Sequence, residues 1–163
     1  ATILERSLWA IYCKGVSEGT GSSSPDRLTR GTCFFMDRDG RLFQEAPQVE
    51  GSLILRFTSD EKKWVEPGSQ VFSESELTEF QKWAETFRAH VGVGLSGFEL
   101  RKNSPDDIWL ITNYGYSVIV RKNDDHKKVA GIVRTVLENE IKDRTPSLRY
   151  IDARFGNKVF YKF

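Results

Sequence analysis

Ser73-Glu-Ser-Glu-Leu-Thr-Glu-Phe-Gln-Lys-Trp-Ala-Glu-Thr-Phe-Arg-Ala-His-Val91 carries two helix signals at once. Ser73 and Glu76 form a capping box: the hydroxyl accepts an unpaired first-turn N–H, and the glutamate reaches back to the serine's own N–H. Leu77, Phe80, Ala84, Phe87 and Val91 then recur at three- and four-residue steps, one apolar stripe on a helix ending near Gly92. Such a stripe must be laid on something, and the flanking sequence reads as strands. Upstream, Thr2–Cys13 is β-branched and aromatic, and Ser52–Phe57 is a short strand. Thr32–Met36 joins Arg41–Gln44 through Asp37-Arg-Asp-Gly40, where Asp39-Gly40 suits a tight hairpin because both residues tolerate positive φ. Lys14–Gly31, with its glycines, Ser22–Ser24 and Pro25, reads as a loop, and Asp60–Lys63 as connection.

Downstream, Phe98–Lys102, Ile108–Thr112 and Tyr116–Arg121 read as an antiparallel meander turning at Asn113-Tyr-Gly115. A second helix starts near Asp124-Asp125, whose carboxylates suit the positive end of a helix dipole, and carries Val129, Ile132, Val133, Val136, Leu137 and Ile141 on one face. Thr145-Pro146 stops it, and Leu148–Phe163 is extended, kinked or turned at Gly156-Asn157. The order predicts an α+β domain: a largely antiparallel, twisted sheet with two amphipathic helices packed on one face and the C-terminal strand at the sheet edge.

Composition excludes several function classes. The 163 residues hold 24 Lys+Arg against 23 Asp+Glu, a formal charge of +1, which gives no broad field for nucleic acid or anionic membrane. A chain with 39% apolar and 12% aromatic residues is built to fold. Two cysteines and two histidines, without C-x-x-C or H-x-x-x-H spacing, predict neither a metal site nor a cofactor. No apolar run approaches the ~20 residues that span a bilayer.

Local motifs do not assemble catalysis. Gly92-Val-Gly-Leu-Ser-Gly97 matches G-x-G-x-x-G, but a helix precedes it and a strand follows, the reverse of a dinucleotide site; it reads as a helix cap and loop. Asp37-x-Asp39-Gly40 lacks the spacing of a calcium loop. His90 and His126 stand isolated, and Ser96 has no nucleophile-elbow context. Asp106-Asp107 and Asp124-Asp125 are read as turn or cap chemistry. The chain is read as having no catalytic residues.

Cys13 and Cys33 would meet if their strands pair antiparallel. They are either a disulfide closing a loop, worth ~3 kcal/mol in the chain-entropy account, or two buried thiols. The C-terminus is the sharper anomaly, with five of the chain's 20 aromatics (11 Phe, 5 Tyr, 4 Trp) falling in residues 150–163. In Lys158–Phe163, Val159, Tyr161 and Phe163 share one face and Lys158, Phe160 and Lys162 the other. On an edge strand lysines guard against aggregation and exposed aromatics suit addition of a partner strand; the alternative reading is an ordinary core strand with aromatic packing.

Three segments resemble the FtsQ/DivIB cell-division family. Glu5-Arg6-Ser-Leu-Trp-Ala-Ile-Tyr-Cys13 resembles its E-R-x-P-x-A-x-W strand, and Phe35-Met-Asp37-Arg-Asp-Gly40-Arg-Leu-Phe43 resembles its hairpin. Tyr150-Ile-Asp-Ala-Arg-Phe155-Gly-Asn-Lys-Val159 resembles its closing Y-I-D-L-R-F-x-N-R-V. The order and spacing agree across nearly the whole chain. Ser7 and Leu8 stand where the family prefers a proline, and Ala153 where it has leucine.

The resemblance implies residues 13–163 as the extracytoplasmic β domain of a bitopic membrane protein, with 1–12 as its first strand or the last strand of a truncated POTRA domain. A transmembrane helix would lie upstream. It implies a non-enzymatic division scaffold, at the division site on the outer face of the cytoplasmic membrane, that binds FtsB-like and FtsL-like proteins. FtsB would add a strand to the last strand of this chain. Carried onto this sequence, the surface is Arg154, Phe155, Lys158, Val159, Phe160, Tyr161 and Phe163, with Arg154 pairing a partner carboxylate and Phe155 an apolar anchor. An extracytoplasmic setting would also favour the Cys13–Cys33 bridge. The alternatives are a POTRA-linked extracytoplasmic binding domain with a different client, and a small cytosolic enzyme.

Overall fold

Residues 6–16, 29–48, 53–61 and 64–163 are described by the structure, a computed structural model. The strands are β1 (Ala10–Val16), β2 (Thr29–Met36), β3 (Leu42–Ala46), β4 (Leu55–Ser59), β5 (Leu95–Arg101), β6 (Ser104–Thr112), β7 (Ser117–Arg121), β8 (Tyr150–Phe155) and β9 (Lys158–Lys162). The helices are α1 (Glu74–Thr86) and α2 (His126–Val136), each continued by a wider π turn, Phe87–Val91 and Leu137–Ile141. Among the described residues, nine strands join one sheet in the order β3-β2-β1-β4-β5-β6-β7-β8-β9.

The fold is α+β, but the sheet is mixed and the largely antiparallel expectation is corrected. β1–β4, β4–β5 and β7–β8 run parallel, and the other neighbours antiparallel. For β4–β5 and β7–β8 the cause is connectivity. A helix between two strands carries the chain back over the sheet, so the strand after it starts at the same end as the strand before it. α1 does this between β4 and β5, and α2 between β7 and β8.

Register explains the burial. Tyr12, Phe57, Phe98, Leu110, Val118, Ile151 and Tyr161 lie opposite one another across successive strands, on one pleat face. Phe80 of α1 meets Phe57 and Phe98 of that row, with ring centroids 5.0 and 4.9 Å apart. Val129 and Val133 of α2 belong to the same apolar cluster as Val118 and Ile151. The next residues along the strands, Cys13, Thr58, Glu99, Trp109, Ile119, Asp152 and Phe160, form the corresponding row on the opposite face.

Several expected local devices are present. Ser73 accepts from the Glu76 amide while Glu76 accepts from the Ser73 amide at 2.8 Å, the complete capping box. Asp125 caps α2 through the Lys128 amide at 2.8 Å. In the β2–β3 turn Asp37 Oδ1 accepts from the amides of Asp39 and Arg41, both at 3.0 Å, and Gly40 adopts φ +78°. A Cβ on Gly40 would lie 2.7 Å from the Phe72 carbonyl oxygen, so glycine is required there for space as well as for φ. The G-x-G-x-x-G segment divides between two structural duties. Gly92 is the left-handed cap of the first helix, and Gly97 lies within β5, where a Cβ would collide with the Arg56 carbonyl.

Other boundaries moved. The first strand is Ala10–Val16, not Thr2–Cys13: Arg6–Trp9 is not strand, and residues 1–5 lie outside the described residues. β1 and β2 extend into the expected loop because Gly15 pairs Arg30 and Val16 pairs Thr29 beyond a bulge; residues 17–28 lie outside the described set, as do 62–63 of the expected connection. Ser52–Phe57 becomes Leu55–Ser59, and Asp106-Asp107 lies inside β6 rather than in a turn. Among the described residues no helix is long and apolar enough to cross a membrane.

Tyr116, fully within the core, gives a test of this packing. Burial, reinforced by neighbouring Tyr114, pushes its phenol up to about 12. A phenol whose folded pKa is raised contributes stability that is complete below pH 10 and lost as pH climbs from 10 through about 12. In an ultraviolet titration Tyr116 should therefore ionise late, together with alkaline unfolding. Ionisation of all five tyrosines near pH 10 with the fold intact would contradict the burial.

Candidate partner-binding edge

The last two strands form a hairpin, which resolves Leu148–Phe163 into two strands rather than one bent one. Phe155 pairs Lys158 across Gly156-Asn157, with Gly156 at φ +66° in the first central position, as a type II′ turn requires. β9 ends the sheet order, so among the described residues no strand lies beyond it. In an antiparallel ladder the N–H and C=O of one residue point to the same side and alternate along the strand. The Lys162 carbonyl accepts from the Arg149 amide at 2.8 Å and so faces β8. Alternation therefore turns the backbone groups of Val159 and Tyr161 outward.

Side chains alternate across the sheet plane instead. Val159 and Tyr161 pack partly buried against the main core, while Lys158, Phe160 and Lys162 are exposed. Phe155 is 49% and Phe160 54% exposed, and their rings meet edge to face at 5.4 Å. Phe163, 36% exposed, sits edge-on to Tyr161 at 5.7 Å and under the Arg144 guanidinium at 4.1 Å. The sequence-predicted aromatics therefore gather at one end of the sheet.

Arg154 behaves differently from the rest. Opposite Val159, β8 carries an extra residue between Asp152 and Phe155, a bulge that re-aims the side chains around it. Arg154 then donates from Nε and Nη2 to Asp152 at 2.8 and 2.6 Å, and from Nη1 to Asp107 at 2.6 Å. The Asp152 hydrogen bond, followed by that to Asp107, raises the guanidinium above its ordinary pKa, so it is charged at every accessible pH. Arg154 clamps β8 to β6, and three of its donors are satisfied inside the chain.

Other functional candidates fall into place individually. His126, isolated in sequence, meets Glu79 at 2.7 Å and the Trp83 ring at 4.2 Å, tying α2 to α1; His90 is exposed. Asp124 accepts from the Arg121 amide at 2.9 Å. Cys13 and Cys33 are direct partners in the β1–β2 ladder and are joined by a disulfide, buried beside Ile11 and Ala46. Sequence reading missed Trp83, which is fully buried although its step of three from Phe80 placed it on the stripe. It also missed that Ile132 and Val136 face β9 across an open groove. No protein-family model matches the chain, and no curated protein does.

Proposed function

We propose that this chain is a non-enzymatic scaffold of the bacterial division machinery, of the FtsQ/DivIB kind, that binds the FtsB/FtsL pair by strand addition at β9. It would act outside the cytoplasm, held to the membrane by a helix upstream of this segment. The observation that carries the reading is the terminal β9 edge, with outward backbone groups at Val159 and Tyr161 beside exposed Phe155 and Phe160. An unpaired edge offers a partner strand a row of hydrogen bonds, and the aromatics beside it add apolar area. The Cys13–Cys33 bridge suits an oxidising compartment. On the sheet face opposite the main core the ionic side chains pair with each other, Arg101 with Glu99 and Arg154 with Asp107.

The test uses a backbone lesion that spares the fold. The Val159 N–H points away from β8, so Val159→Pro removes a donor from the free edge without cutting the β8–β9 ladder. The variant should keep its circular dichroism and lose at least tenfold in affinity for a peptide from the extracytoplasmic part of an FtsB-like protein of the same organism. Wild-type affinity in the folded variant would rule out strand addition at this edge.

A further inference from the structure

β9 is also one wall of the groove shared with α2, an open space of about 740 Å³ with Ile132 and Val136 on the helix side and Val159 and Tyr161 on the strand side. A strand added to β9 would run along this groove, because its backbone would bond Val159 and Tyr161 while alternate side chains turned toward α2. Those positions would meet aliphatic carbon, and apolar side chains there would cover Ile132 and Val136. Both are only partly buried in the free chain although they lie on the helix's apolar face.

The groove is electrically uneven from end to end. α2 connects the parallel strands β7 and β8, so it runs antiparallel to β8 and hence in the same sense as β9. The start of α2, with Lys127 and Lys128, therefore lies beside Asn157 and Val159 at the start of β9, and Glu140 lies toward the end where β9 finishes. Both lysines are exposed, and neither is ion-paired among the described residues.

We infer that the partner strand is two-faced and polar along its length: alternate apolar side chains fill the groove over Ile132 and Val136, and a cluster of carboxylates at one end of the same face meets Lys127 and Lys128. This rests on the strand addition proposed above. The charge pattern gives the added strand a direction, since reversing it would carry the carboxylates to Glu140 and leave the lysines facing uncharged or basic residues. Exposed rim charges act mainly on encounter rate, register and salt dependence.

The probe is a fluorescein-labelled synthetic peptide covering the extracytoplasmic segment that follows the coiled coil of the FtsB-like protein of the same organism. Binding to the chain is read by anisotropy across a salt series. Lys127→Glu with Lys128→Glu is the informative variant, because acidic residues in the first turn of α2 suit the helix dipole and leave the fold intact. The expected result is at least a tenfold loss of affinity with a shallower salt dependence, matched in the wild-type chain by a peptide whose terminal carboxylates are changed to amides. Unchanged affinity and salt dependence in the double lysine variant, with Val159→Pro still blocking capture, would overturn the charge assignment and leave strand addition standing. Binding indifferent to Val159→Pro, or no binding to the wild-type chain, would overturn both.

Discussion

Arg154→Met is expected to destabilise the chain by about 3 kcal/mol at neutral pH, within the range for breaking a largely buried ion pair from one side. The methionine keeps most of the aliphatic stem, so the loss is electrostatic rather than a matter of volume. Asp107 and Asp152 are 14% and 10% exposed in their side chains and share this one guanidinium. Without it two carboxylates face each other in a poorly hydrated site with no cation between them. Arg154 itself is about a quarter exposed, which places the expected value toward the low end of that range. Denaturant unfolding checks it. Asp107→Asn in the Arg154→Met background should recover part of the loss, since it removes one stranded charge. A single variant within 0.5 kcal/mol of wild type, the usual scale of a surface change, would mean the network is no stronger than an exposed pair.

The same residue separates stability from binding. The resemblance to the division family led Arg154 to be expected as a hand held out to a partner, but in the free chain it holds β6 and β8 together. Loss of partner capture on changing Arg154 would therefore report a displaced bulge and a displaced β9 as readily as a lost contact. Phe160, more than half exposed and free of structural duty on the main core, is the cleaner contact to remove.

What could be read from sequence was local. The Ser73 capping box, the Asp37–Gly40 turn and the stripes of α1 and α2 depend on residues within four positions of one another, and they stand as expected. The β4–β5 and β7–β8 parallel pairings were not read, although the strand–helix–strand order at β4–α1–β5 and β7–α2–β8 was the signal for them. A largely antiparallel sheet does not use that information. The Arg154–Asp107 and His126–Glu79 contacts, each spanning 47 positions, follow from strand order and helix placement and have no local signature. The lysines alternating against aromatics in β9 fitted an edge strand and a core strand about equally, so its edge position needed the strand order, and the groove beside it needed the direction of α2.

Removal of the Cys13–Cys33 bond is expected to cost roughly 3 kcal/mol, about a hundredfold in the folding equilibrium, against a typical total of 5–15 kcal/mol. The bridge closes a sequence separation of 20 and ties two strands that the ladder already holds in register. In the folded chain it therefore adds little that the β1–β2 pairing does not supply, and its effect falls on the unfolded chain, whose freedom it limits. Two preparations separate that effect from packing. Chemically reduced wild type keeps both sulfurs in the Ile11–Ala46 cluster but lacks the bond, whereas Cys13→Ala with Cys33→Ala loses the bond and the sulfur contacts together. Both should unfold at lower denaturant than the oxidised chain, and the double alanine variant lower still by the cost of the vacated space. Both should also show a steeper denaturant dependence, because an unfolded chain released from the cross-link exposes more surface. A reduced protein as stable as the oxidised one would show that the ladder alone fixes β1 against β2, and the bond would then have no energetic claim on the fold.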